Sequence, residues 1–147
     1  MKAYIFPGQG SQFAGMGKDL FDRFKLAKEL FFNANEILGF NLSQILFHGS
    51  KEELKETQIT QPAIYIHSVI ISRVMGEKFQ PNFVAGHSLG ELSALTAIGT
   101  LSFEDGLKLV SKRATVMQKA CEDRPGTMAA VLGLDEKIIE RVCLEIK

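Results

Sequence analysis

The sequence has no tryptophan, only two cysteines, and no surplus of either charge. Cys121 and Cys143 match neither a CxxC pair nor a metal-ligand spacing. That excludes a dithiol motif and a cysteine-held metal, and leaves two free thiols, expected on helices in a reducing compartment. Seventeen basic residues balance seventeen acidic ones, so no global field draws nucleic acid or an anionic membrane surface. An anionic ligand has to be caught locally. Long apolar runs are missing too. The opening MKAYIF is cut by Pro7, too short for a signal-peptide core, and no run of membrane-spanning length follows. The expectation is a cytoplasmic protein with no membrane or nucleic-acid partner. Internal repeats and low-complexity segments are also absent. What is present suits a globular domain: 147 residues, 46% hydrophobic and 23% charged, enough for one real core.

Residues 2–6 (KAYIF) read as a short strand that stops at PGQGSQ, where a proline and two glycines cannot continue either regular structure. From Gly17 the apolar residues Leu20, Phe21, Phe24, Ala27, Leu30, Phe31, Ala34 and Ile37 recur at helical spacing as far as Gly39. Thr60 is expected to cap a helix with Pro62 in its first turn, running out near Gly76. FVA before Gly86 reads as a short buried strand, and Leu89 to Ile98 as a largely buried helix. Ser102 and Asp105 make a capping-box-like start to another helix, whose Phe103, Leu107, Val110, Ala114 and Met117 share one face. TMAAVLGL, residues 127–134, is strand-like, and Asp135 then caps a last amphipathic helix. Alternating helices and short apolar strands predict an α/β layer structure with a mainly parallel sheet.

Three places carry chemistry. Gly86-His87-Ser88-Leu89-Gly90 is a G-x-S-x-G between a strand and a helix, the pattern of a nucleophile elbow. The helix that follows aims its N–H groups at the place where an oxyanion would form. The alternative is a strand-to-helix turn that merely needs small residues. PGQGSQ lacks both GxGxxG and the Gly-Lys-Ser/Thr ending, so a phosphate loop is not indicated. It is either a plain turn or the loop that gives an oxyanion hole its second N–H. Arg113, midway between Leu109 and Met117, flanks the apolar stripe of its helix. A guanidinium there suits bidentate recognition of a carboxylate, or is simply solvated. The histidines His48, His67 and His87 all precede Ser88. His67 reads as a core or boundary residue, and His87 as a poor base for its covalent neighbour.

FPGQGSQFAGMG, ITQPA and AGHSLGELSAL, in this order and spacing, resemble the malonyl-CoA:acyl-carrier-protein transacylases of fatty-acid synthesis, and KRATVMQKA with GTMAAVLGL extends the resemblance along the whole chain. It implies an α/β-hydrolase-like acyltransferase core, here residues 1–126, and the start of a ferredoxin-like small subdomain, residues 127–147. It implies Ser88 as the nucleophile, the backbone N–H groups of Gln9 and Leu89 as the oxyanion hole, and Arg113 as the binder of the malonyl carboxylate. The substrate would be malonyl-CoA and the partner an acyl carrier protein, with no metal and no further cofactor. The family's histidine base lies in the second half of its core, so the chain reads as truncated, with a carboxyl-terminal half missing. Two other readings stay open: a serine hydrolase or thioesterase, which needs the order Ser, Asp/Glu, His, and a non-catalytic fragment that binds a carrier protein.

Overall fold

The apolar run ahead of Pro7 forms strand β1 (Ala3–Phe6), and the run ahead of the elbow forms strand β2 (Phe83–Gly86). The computed structural model that shows them describes residues 1–124 and 131–146. The strands pair in parallel, with Ala3 opposite Phe83 and Phe6 opposite Gly86. This register makes their carboxyl ends flush, so the loops after them emerge side by side. His87 extends the ladder by donating its N–H to the Phe6 carbonyl at 3.0 Å.

Between the strands lie helices α1 (Lys18–Arg23), α2 (Lys25–Leu38), α3 (Leu42–His48) and α4 (Thr57–Met75). Helix α2 buries Ala27, Phe31 and Ala34 along one stripe and stops at Gly39, whose φ of 74° lets its N–H turn back to the Asn35 carbonyl. Asn41 caps α3 by accepting the Gln44 N–H. Helix α4 is the centre of the molecule, in contact with α2, α3 and the two helices after β2. Ala63, Ile64, Tyr65, Ile66, Val69 and Ile70 are all fully buried, so nearly the whole circumference of its middle is core.

Helix α4 begins a turn before the expected cap at Thr60. The N–H groups of Ile59 and Thr60 both reach the Glu56 carbonyl at 2.8 Å, and Glu56 is the flanking residue. The Thr60 hydroxyl does not cap. It donates to the Leu54 carbonyl at 2.5 Å and ties the helix to the 3-10 turn Glu53–Lys55. Pro62 consequently sits inside the helix rather than in its first turn.

After β2 come α5 (Gly90–Ala97) and α6 (Phe103–Asp123). Helix α5 packs on both strands and against α4 and α6. It is less buried than expected: Gly90, Ser93, Ala94 and Thr96 are covered, while Leu95 and the following Ile98 are exposed. The capping box holds, with Ser102 Oγ accepting the Asp105 N–H at 3.0 Å, and Leu107, Val110 and Ala114 form the buried centre of the expected α6 face.

Strand β2 is not buried, contrary to expectation. Alternation turns Tyr4, Phe6 and Val84 toward the helices and leaves Ala3, Ile5, Phe83 and Ala85 on the other side. There Ile5 is 78% and Phe83 63% exposed, because no described element lies over that face. Residues 127–130 of the expected TMAAVLGL strand, and the 126/127 boundary, lie outside the described residues, and Val131–Leu134 is not a strand. Asp135 does cap α7 (Glu136–Glu145), accepting the Lys137 N–H at 2.9 Å. Cys121 on α6 and Cys143 on α7 are free and exposed.

Candidate active site

Ser88 has φ 56°, and among the described residues it is the only non-glycine with a positive φ. That conformation costs free energy for a residue with a Cβ, and it recurs where structure holds a functional side chain in place. Strand β2 delivers Ser88 to the edge of the sheet and α5 leaves from the other side of the turn. The motif's glycines are there for space. A Cβ on Gly86 would overlap the backbone of Gly90 and Glu91, and one on Gly90 would run into the Phe6 carbonyl oxygen. A Cβ on Gly8 would lie 2.6 Å from the His87 carbonyl oxygen, so the PGQGSQ loop is pressed directly against the elbow.

Leu89 is fully buried behind the serine, and Gln9 is exposed in the adjoining loop. Among the described residues, neither the Leu89 nor the Gln9 backbone N–H donates a hydrogen bond. Neither of these donors, on abutting loops, has an acceptor among the described residues, and one of them stands at the amino end of α5. The turn itself is closed by the Gly90 N–H on the His87 carbonyl at 2.9 Å and the Glu91 N–H on the Ser88 carbonyl at 3.2 Å.

Helix α6 brings Arg113 to the same spot from 25 residues away. Its Nη2 donates to Ser88 Oγ at 2.8 Å, and its Nη1 donates to Gln61 Oε1 at 2.6 Å. Arg113 is half-buried. Gln61, on the second turn of α4, is completely buried, and its Nε2 donates to Met117 Sδ at 3.3 Å. Sequence reading passed over Gln61 as a site residue. The ion pairs of the described residues are all between charges four apart on one helix, and none includes Arg113.

No histidine among the described residues hydrogen-bonds Ser88. His48 and His87 are exposed. His67, on α4, is edge-on to Phe13 with ring centres 6.2 Å apart. Burial holds its pKa below the usual histidine range, against the opposing pull of the Asp19 charge. The described residues contain no group of three or more His, Cys, Asp or Glu placed to hold a metal, and no helix long and apolar enough to cross a membrane.

A parallel strand, a turn that holds serine in the left-handed region, and a helix running away from it define an α/β protein of the nucleophile-elbow type. The chain belongs to the acyl transferase domain family, whose pattern it matches over residues 3–145. It is 46% identical over 141 residues to the malonyl CoA-acyl carrier protein transacylase of Bacillus subtilis strain 168, covering 95% of this chain and 44% of that protein. It is 44% identical over 147 residues to a polyketide biosynthesis malonyl CoA-acyl carrier protein transacylase of the same organism, covering 99% and 49%. The crystal structure of malonyl-CoA:acyl carrier protein transacylase from Helicobacter pylori superposes with a TM-score of 0.89 at 42% identity, over 97% of this chain and 47% of that one. The chain thus spans about half the length of the curated relatives it matches.

Proposed function

We propose that this chain is the serine-bearing, amino-terminal part of a malonyl transferase that moves malonyl from coenzyme A to an acyl carrier protein in fatty-acid biosynthesis. Ser88 Oγ attacks the thioester carbonyl and loses its proton, the C–S bond breaks, and coenzyme A leaves as the thiol. The oxyanion formed on the way is received by the N–H groups of Leu89 and Gln9. The ester on Ser88 then passes by the reverse chemistry to the phosphopantetheine thiol of the carrier protein. Throughout, Arg113 holds the free carboxylate of the malonyl group.

The contact between Arg113 Nη2 and Ser88 Oγ at 2.8 Å carries this reading. It sets a fixed cation beside the nucleophile, where a short acyl group with a terminal carboxylate would lie. A simple hydrolase has no use for that cation, since its acyl groups carry no second charge to pair with it. The histidine base belongs to the carboxyl-terminal part of such an enzyme. Residues 127–147, with α7, open its ferredoxin-like subdomain, and the enzyme works in the cytoplasm. Lacking the base, the 147-residue chain alone acylates slowly, by about 10²–10⁴ relative to an enzyme that has it. Incubation with isotopically labelled malonyl-CoA separates the readings. Label on Ser88 supports the transferase, release of free malonate supports a hydrolase, and no covalent label supports a non-catalytic fragment.

A further inference from the structure

We infer that Gln61 is the positioning residue that sets acyl selectivity, because it fixes the Arg113 guanidinium beside Ser88 while leaving its charge uncancelled. The inference rests on the reading that Arg113 receives the acyl carboxylate.

Gln61 and Arg113 stand on different helices, α4 and α6, so their 2.6 Å hydrogen bond fixes the guanidinium against the core rather than against its own helix. The orientation of the amide follows from its neighbours. The carbonyl has to face the guanidinium, which only donates, and the amide nitrogen then meets Met117 Sδ, a weak acceptor. With Nη1 held by Gln61, Nη2 stays within hydrogen-bond reach of Ser88 Oγ.

Charge makes the choice of residue specific. The two side-chain partners of Arg113 are an amide and a hydroxyl, both neutral, and no carboxylate of the described residues lies within ion-pair distance. A glutamate at position 61 would have nearly the same shape and would accept the same hydrogen bond, but it would form a buried ion pair and leave no net charge for a ligand. A leucine would fill the space and accept nothing. Of these side chains, the glutamine alone both holds and spares the cation. An arginine held in this way discriminates acyl groups by charge, favouring those with a terminal carboxylate over uncharged ones of similar size.

The test is calorimetric titration of the 147-residue chain with malonyl-CoA and with acetyl-CoA, for the parent, Gln61→Glu, Gln61→Leu and Arg113→Ala, each checked for its thermal melt. The parent should bind malonyl-CoA about ten- to a hundredfold tighter than acetyl-CoA. Gln61→Glu should erase that preference by weakening malonyl-CoA binding more than acetyl-CoA binding, although Arg113 is still present. Gln61→Leu should weaken malonyl-CoA binding more than acetyl-CoA binding, and it decides the matter if the glutamate variant fails to fold. Equal weakening of both ligands in the leucine variant, or a preference retained in Gln61→Glu, overturns the role of Gln61 alone. A preference that survives Arg113→Ala, or a parent that shows none or binds neither ligand, overturns the Arg113 reading and the role of Gln61 with it.

Discussion

Ser88 and the glycines around it show how much of the site is steric. The serine adopts φ 56° because β2 and α5 must meet at a sharp angle while β1 lies alongside, and at Gly90 the chain passes too close to Phe6 for any side chain. Gly90→Ala should therefore cost at least about 1–3 kcal/mol of folding stability, since the clash is with backbone and cannot be relieved by a rotamer change. Urea unfolding measures it, and a loss below about 0.5 kcal/mol would show that the loops are not in contact. The serine was legible because G-x-S-x-G between a strand and a helix is a local pattern. Arg113 was half legible, since its flank position on α6 could be read but not its contact with Ser88. Gln61 was not legible: a buried glutamine in an apolar helix has no periodic signature, and its partner lies 52 residues along the chain.

At the scale of elements, α4 organises both halves of the site. The Tyr65 hydroxyl, a turn beyond Gln61, bonds Thr96 Oγ1 on α5 at 3.0 Å and the Phe103 carbonyl at the start of α6 at 3.0 Å. Burial pushes its pKa up to about 12, so it stays a neutral donor. Tyr65→Phe should cost about 1–3 kcal/mol in urea unfolding, because it leaves Thr96 and the Phe103 carbonyl short of a partner. A variant as stable as the parent would mean that the helices are held by apolar packing alone. His67, on the same helix, has a pKa lowered by burial. The unfolded chain then binds more protons just below the ordinary histidine pKa, so stability should rise with pH through that window and be lost as pH falls below about 6.5. Comparing urea midpoints near about pH 7.5 and about pH 5.5 in the parent and in His67→Gln checks this, with the variant expected to lose most of the difference. The exposed Glu53, whose carboxyl is held low by hydrogen bonds from Ser50, contributes a pH dependence only from the ordinary carboxylate range downward, outside this window. The start of α4 was misread because Thr60 and Pro62 carry a local start signal, while the Glu56 carbonyl and the Thr60 bond to Leu54 are tertiary facts.

For the whole molecule, the layer order could be read but the degree of cover could not. Apolar runs at 2–6 and 83–85 predicted strands, and burial was expected of the second; it fails at Phe83, beside the equally open Ile5, because burial depends on what else lies over the sheet. With two strands in the described sheet, each also presents an unpaired edge. The 147-residue chain alone should consequently self-associate through this face. Sedimentation should show an average mass that rises with concentration, and Ile5→Lys combined with Phe83→Lys should reduce the rise. A parent that remains monomeric at every concentration would contradict this.

Whether the whole chain is the acyl-accepting part of a malonyl transferase is decided by the rate at which Ser88 is acylated by malonyl-CoA and by acetyl-CoA, followed by peptide mass mapping in the parent and in Arg113→Ala. Slow adduct on Ser88 is expected in the parent, faster with malonyl-CoA. In Arg113→Ala the malonyl-to-acetyl ratio should drop about ten- to a hundredfold, because charge-assisted hydrogen bonds to the carboxylate are lost while acetyl has none to lose. No adduct on Ser88, or a ratio that the substitution leaves unchanged, would contradict it.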